Sequence, residues 1–290
     1  MIPYPNIDPV IIKIWKFEIR WYGIMYLLGF IAAFFVIGHL AKKKEINLTG
    51  DDLWDYIFYL MLGVIVGGRL GYCLFYWPGG PGEFFSNPLL LFAVWQGGMS
   101  FHGGFIGVIL AGVYCSWRKN IPFYDVADLT AAAAPIGIGL GRIGNFINGE
   151  LWGRGTDVSW CMVFPGDSEF LCRHPSQLYE ALLEGLLLFL ILFTMNVKRV
   201  RRGIAMWSFI FFYGLFRFFV EFYREPDPHL GLIFGSLSMG QLLTIPMMLI
   251  GGVMIGYLLI KKDDTPVPKK ENKKSNISTK KKKGKKGNKK

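Results

Sequence analysis

Arg142, Asn145 and Asn148 recur every three residues inside GIGLGRIGNFINGELWGR (Gly137–Arg154), and Glu150, Gly153 and Arg154 follow closely. If this stretch is helical, the three polar residues form a slowly turning stripe. A guanidinium fork matches phosphate oxygens and keeps its charge. The neutral amides beside Arg142 set it apart from a single arginine that snorkels to a headgroup. Arg217, Glu221 and Arg224 are spaced i, i+4, i+7 and share a helix face, where they can neutralise one another or aim an arginine at a ligand. Glu180 and Glu184 also share a face. Two carboxylates so close repel unless cations pair with them. Arg69 is the candidate partner, and Glu184 reads as structural.

His102 lies in QGGMSFHGGFIG, where flanking glycines let another chain or a lipid approach. An imidazole titrates near neutrality and suits general-base work. His174, in RHPSQLYE, precedes Pro175 and reads as a residue of a helix entrance or interface. A glycine-rich dinucleotide fingerprint needs a strand before it, a helix after it and a later acid, and the glycines around Arg142 meet none of these conditions. No Ser-His-Asp, GxSxG or Cys/His zinc spacing stands out, so neither a metal nor a cofactor is expected.

These residues sit in an unusually apolar chain. Hydrophobic types make up 52% of the 290 residues and charged types 18%, against about 25% charged in soluble domains. Residues 261–290 hold 14 Lys and three acidic residues, whereas residues 1–260 carry 18 basic and 18 acidic. The net charge of +11 is therefore all tail. A neutral body argues against nucleic-acid binding, and the apolar content excludes an ordinary soluble enzyme.

Seven apolar stretches could each cross a bilayer: about 20–41, 56–76, 97–117, 125–144, 178–197, 204–222 and 237–260. The basic clusters Lys42–Lys44, Arg118–Lys119, Lys198–Arg202 and Lys261 onward follow the first, third, fifth and seventh stretches. Alternating spans put all four on one face, and positive charge marks that face as cytoplasmic. The expectation is an all-α integral membrane protein of about seven transmembrane helices. Its N-terminus is outside, its C-terminus is cytoplasmic, and a small loop region covers the outer face. The first apolar stretch is longer than a signal-peptide core and is expected to be retained. The Lys-rich 261–290 segment has no apolar face and is expected to be a disordered cytoplasmic tail on a 1–260 membrane domain.

With this topology Tyr22, His102, Arg142, Glu180, Arg217 and Glu221 all fall in the outer half of the bilayer. Ionisable residues are costly there and point to function. Gly137 with Gly141, the set Gly63, Gly67 and Gly71, and Gly103 with Gly107 form small-residue faces for close helix packing. Cys73 and Cys115 read as packing residues. An oxidising outer face permits a disulfide between Cys161 and Cys172, but the sequence does not show that the geometry closes. These residues lead to an integral membrane enzyme or transporter acting on an anionic lipid at the outer face.

Five separated motifs then add a resemblance. WYG (Trp21–Gly23), SFHGG (Ser100–Gly104), GRIGNFINGELWGR (Gly141–Arg154), RHPSQLYE (Arg173–Glu180) and YGLFRFFVEFYREPD (Tyr213–Asp227) occur in this order. Together they resemble the bacterial prolipoprotein diacylglyceryl transferase family from about residue 5 to 260. The resemblance implies transfer of the diacylglyceryl group of phosphatidylglycerol to the lipobox cysteine thiol in a preprolipoprotein signal peptide. sn-Glycerol 1-phosphate is released, in the first step of lipoprotein maturation. It implies the bacterial cytoplasmic (inner) membrane, an active site toward the outer leaflet, and membrane lipids as surroundings.

By the same resemblance Arg142 and Arg217 bind the phosphodiester and stabilise the leaving phosphate; the imidazole of His102 makes it the candidate general base, the alternative being that the positive field of the arginines lowers the thiol pKa without a base. Tyr22 and Asn145 hydrogen-bond headgroup or intermediate, and Glu150 and Glu221 orient the arginines. Gly153 matches a position limited to a small residue, and Tyr213 and His174 join the substrate-binding set. Two features depart from the better-known enterobacterial pattern: a short outer loop between Trp160 and Arg173, and the added Lys-rich tail. A lipid transporter or flippase using the same polar cavity is the alternative. It would need a route to both faces, which the clustering of charge in the outer half and the lack of an obvious repeat disfavour.

Overall fold

In a computed structural model, residues 1–15, 17–77, 86, 88–92, 98–226, 232–233 and 237–261 are described. Seven long helices dominate. They are α1 (Trp21–Lys44), α2 (Asp51–Phe75), α3 (Phe101–Lys119), α4 (Phe123–Asn148), α5 (Ser176–Val197), α6 (Ile204–Val220) and α7 (Met239–Ile260). Each coincides with one of the seven apolar stretches. Five of them (α1, α2, α4, α5 and α7) are long and apolar enough to cross a membrane. Helix α6 is apolar but 17 residues long. The protein is thus essentially all-helical, with two additions. A two-stranded antiparallel sheet, β1 (Val10–Ile14) with β2 (Phe17–Arg20), leads into α1, and a smaller pair, β3 (Leu232–Ile233) with β4 (Leu237–Ser238), leads into α7. The lysine-rich stretch from residue 262 and His229 lie outside the described residues.

Local chemistry sets the helix ends. Lys42, Lys43 and Lys44 lie in the last turn of α1 and Arg118 and Lys119 in that of α3, where cations complement the helix dipole. Asp51 and Asp52 occupy the first turn of α2 for the converse reason. Ser100 caps α3 by accepting from the Gly103 amide at 3.2 Å. Ser238 and Gln241 form a reciprocal capping box at the start of α7.

At the end that bears the basic clusters, the chain ties itself together. Asp128 of α4 accepts from the Gly203 and Met206 amides, both at 2.9 Å, and so caps α6. Lys44 lies 3.6 Å from Asp128 and donates to Asn196 at 3.1 Å. Arg202 pairs with Asp125 at 2.8 Å, and Arg201 donates to the last carbonyls of α7. The main core sits above this end, with Ile37, Leu40, Tyr56, Leu129, Leu188 and Leu192 all buried. A second, smaller cluster of Phe146, Met162 and Phe164 packs with Tyr4, Trp152 and Leu178 at the opposite end of α4.

Two glycine seams bring helices to backbone contact. Gly63 and Gly67 of α2 face Gly103 and Gly107 of α3, as the spacing predicts. A Cβ on Gly107 would lie 1.9 Å from the Gly63 carbonyl oxygen. The expected Gly137/Gly141 face holds in part: a Cβ on Gly29 of α1 would lie 3.2 Å from the Cα of Gly137, so Gly137 is a close-packing position, whereas a Cβ on Gly141 meets nothing within 4 Å. Gly139 is tight as well, since its Cβ would fall 3.0 Å from the Cα of Gly185 on α5. The rotation of α4 turns Gly137 toward α1 and Gly139 toward α5.

Candidate active site

Arg142 leaves α4 two turns before its C-terminus, at Asn148. Counted along the helix at 1.5 Å per residue, it stands about 20 Å from Asp128. The ionic site and the basic end are therefore at opposite ends of the bundle. Helix α5 opens beside Arg142 with Glu180, fully buried, and continues as a π-helical segment over Ala181–Leu187 that carries Glu184. Such widened turns are rare and recur at functional sites.

Charges alternate through the cluster. Arg142 Nε lies 2.7 Å from Glu180 Oε2, and Arg217 Nη1 donates to the same oxygen at 2.6 Å. Arg217 Nη2 lies 2.6 Å from Glu221 Oε1, which also accepts from Arg224 Nη1 at 3.1 Å. Ser238 Oγ donates to Glu221 Oε2 at 2.9 Å and ties the start of α7 to the chain of charges. Arg142 and Arg217 keep side-chain exposures of 21% and 12%, so each is sheltered but reachable. No described residue accepts a hydrogen bond from the Nη atoms of Arg142, so one guanidinium edge remains for an anion.

Two expected partnerships are corrected. Arg69 does not pair with Glu180 or Glu184. It donates to the Gly98 carbonyl at 3.2 Å and lies over the rings of Tyr72 and Trp77. The cations that hold Glu180 are Arg142 and Arg217. Glu150 does not orient an arginine either: its Oε1 accepts from Asn145 at 2.9 Å and Asn148 at 3.0 Å. Gly149, at φ 65°, reverses the chain at the helix end and swings the Glu150 carboxylate back under those amides. Glu221, by contrast, contacts Arg217 at 2.6 Å.

The other expected residues divide into those near the charges and those apart. Tyr22 packs beside α4, where a Cβ on Gly144 would lie 2.9 Å from its ring, and its hydroxyl is 3.2 Å from that of Tyr26. Asn145 is buried one turn beyond Arg142. Tyr213 lies one turn before Arg217 on α6, within electrostatic range of Arg142, Glu180 and Glu184. His102 is exposed at the start of α3, edge-on to Phe101, and no hydrogen bond or ion pair joins it to the arginines.

Gly153 has a geometric reason to be small. Its amide donates to the His174 carbonyl at 2.8 Å, and a Cβ would lie 2.4 Å from the Tyr223 carbonyl oxygen. His174 is half-buried, and its Nδ1 is 3.1 Å from the Tyr179 hydroxyl. Burial pushes its pKa down from the usual value, which favours the neutral ring.

The loop that covers this end is held by a disulfide that the sequence left open and by ion pairs that sequence reasoning missed. Cys161 and Cys172 are joined in a disulfide. Buried Arg173 donates to Asp167 at 2.6 and 3.1 Å and to Glu225 at 3.1 Å. The Arg173 guanidinium holds the Asp167 carboxyl below the usual carboxylate range. No periodicity links these residues; only the folded loop does. Glu180, the meeting point of both arginines, was visible in the RHPSQLYE motif but not its partners.

Fold and site together define a polytopic helical protein with two sheltered arginines converging at one end of the bundle. The prolipoprotein diacylglyceryl transferase family model matches residues 9–257. A phosphatidylglycerol–prolipoprotein diacylglyceryl transferase from Geobacter sulfurreducens is 58% identical over 251 residues, covering 87% of this chain and 95% of that protein. One from Marinomonas sp. is 51% identical over 257 residues, covering 88% and 94%. One from Pseudomonas entomophila is 48% identical over 268 residues, covering 91% and 98%. The chain belongs to the prolipoprotein diacylglyceryl transferase family.

Proposed function

We propose that this protein transfers the diacylglyceryl group of phosphatidylglycerol to the lipobox cysteine thiol of a preprolipoprotein and releases sn-glycerol 1-phosphate. The observation that carries the reading is the convergence of Arg142 and Arg217, from two helices, on one buried carboxylate, in a chain 58% identical to a protein bearing that name. The sulfur–C3 bond forms as the C3–oxygen bond to phosphate breaks, and the electron pair stays on the phosphate oxygen. The two arginines stabilise that developing charge. His102 takes the thiol proton; its exposed ring at the start of α3 supports this role. A thiol with pKa near 8.5 needs such help at neutral pH.

Tyr22 and Asn145 hydrogen-bond the lipid headgroup, and Tyr213 and His174 line its site. Glu221 orients Arg217, and Gly153 lets two backbone segments close over the outer face. Residues 1–260 form the transferase, with seven spans in a bacterial inner membrane and the site toward the outer leaflet. The common end of the four basic clusters supports this orientation. Residues 261–290 are a cytoplasmic extension that the chemistry does not use.

The test is glycerol phosphate release by purified protein given phosphatidylglycerol and a lipobox peptide. Release should require the peptide cysteine, vanish with a Cys→Ser peptide, and be lost in Arg142→Ala. Retention of release without the cysteine would overturn the transfer reading.

A further inference from the structure

Glu184 is a buried carboxylate of the charge cluster that the transfer chemistry leaves without a task. Its relative exposure is 0%. Among the described residues neither of its carboxylate oxygens has a hydrogen-bond partner. Arg217 Nη1, at 3.7 Å, is its ion-pair contact. Its two companions differ. Glu180 Oε2 contacts both Arg142 and Arg217, and Glu221 is held by Arg217, Arg224 and Ser238.

The cluster holds three guanidiniums (Arg142, Arg217, Arg224) and three carboxylates (Glu180, Glu184, Glu221). With all six ionised it is neutral. Such a site has no surplus charge for a phosphodiester, and adding one would leave a negative charge uncompensated in a sheltered interior, which is costly. Hydrogen bonds to an ionised carboxylate keep it ionised. Glu180 and Glu221 have such contacts, and Glu184 has none.

We propose that Glu184 is a charge-compensating positioning residue. It is ionised against Arg217 when the site is empty, and takes up one proton when the phosphate of phosphatidylglycerol enters between Arg142 and Arg217. The lipid's identity rests on the proposed function. One proton from hydronium or a buffer acid in the bulk joins one carboxylate oxygen, the donor's conjugate base stays in solution, and the proton is returned when the product phosphate leaves. The charged and titratable groups facing Glu184 are Arg142 from α4, Tyr213, Arg217 and Glu221 from α6, and Glu180 on its own helix. The π-helical segment brings Glu180 and Glu184 to the same arginine, with the second carboxylate held back in reserve.

The experiment measures phosphatidylglycerol binding to the purified full chain without peptide, from mildly acidic to mildly alkaline pH. Wild-type affinity should fall with rising pH, with a limiting slope of about tenfold per pH unit for one linked proton. Glu184→Gln, permanently neutral, should bind without that slope, and Glu184→Asp should retain it. His102→Gln should also retain it, and diacylglycerol, which lacks the phosphate, should show no slope in the wild type. Equal slopes in wild type and Glu184→Gln, or a flat wild type, would overturn the proposal. If Glu184→Gln does not fold, the wild type and the diacylglycerol control decide: a slope shared by both lipids also overturns it. Glycerol phosphate release with a lipobox peptide is measured on the same preparation. A slope without release sinks the transferase reading alone, and release without a slope sinks this one alone.

Discussion

Arg142 and Arg217 are held by one carboxylate, yet they differ in how they are held. Arg217 is gripped at both Nη atoms by Glu180 and Glu221, whereas Arg142 meets Glu180 through Nε and keeps its Nη edge. A lysine can replace neither fork. Arg142→Lys should lower glycerol phosphate release by roughly 10²–10³-fold, the usual effect of removing one donor to developing charge. A smaller loss, confined to KM in a peptide-transfer assay, would assign Arg142 to binding alone. In the disulfide-closed loop, Arg173 is shared among Asp167, Glu169 and Glu225. Asp167→Asn should destabilise by about 2 kcal/mol, less than the roughly 3–5 for a lone buried pair, because two other carboxylates remain. The Asp167 pKa is lowered in the fold, so its stabilisation is complete above the unfolded value and is lost as pH falls through the folded one. Proteolysis of this loop should therefore stay flat from neutrality down to about pH 4 and rise only below it. A rise near pH 6 would point to another group.

Among the elements, the α2–α3 seam and α4 make a direct comparison. Gly107→Ala would drive a methyl into the backbone of α2, where no side chain can move aside, since Gly63 oxygen would be 1.9 Å away. The expected cost is at or above the roughly 1–3 kcal/mol of overpacking, with a clear fall in Tm in detergent. Gly137→Ala meets open space on α4 and should be neutral or gain up to about 1 kcal/mol of helix propensity. Equal melting temperatures for the two variants would mean that the helices are not packed as described. Gly153→Ala should abolish activity for a similar reason, since its Cβ would meet two carbonyl oxygens.

For the whole molecule, the two ends do different work. One end is pinned by Asp128, Lys44, Arg202 and Asp125, and the other carries the arginines under a disulfide-closed loop. In the proposed orientation, a membrane-impermeant thiol reagent added outside should label Ser168→Cys and leave Lys43→Cys and Arg199→Cys unlabelled until the membrane is opened. The reverse pattern would invert the topology. Truncation after Lys261 should leave glycerol phosphate release within about twofold of the full chain, because surface tails away from a site contribute little to it.

The sequence by itself determined the places of all seven helices, the basic clusters that mark one end, and the motifs that place the chain in its family. These are local sums of hydropathy and charge, or short runs of residues, and they survive without knowing what packs on what. It also identified the residues Arg142, Arg217 and Glu221 and the need for a small residue at Gly153. Only the tertiary structure decided partnerships. Glu180 meets an arginine 37 residues away, Glu150 serves two amides rather than an arginine, and Arg69 turns to aromatic rings and a carbonyl. The first outcome depends on the rotation of one helix against another by a fraction of a turn, whereas Glu150 and Arg69 are taken up by near neighbours in the chain, Asn145 and Asn148 for the one and Tyr72 for the other. That rotation is set by which glycine finds a neighbour's backbone, and no single stretch of sequence contains both sides of that contact.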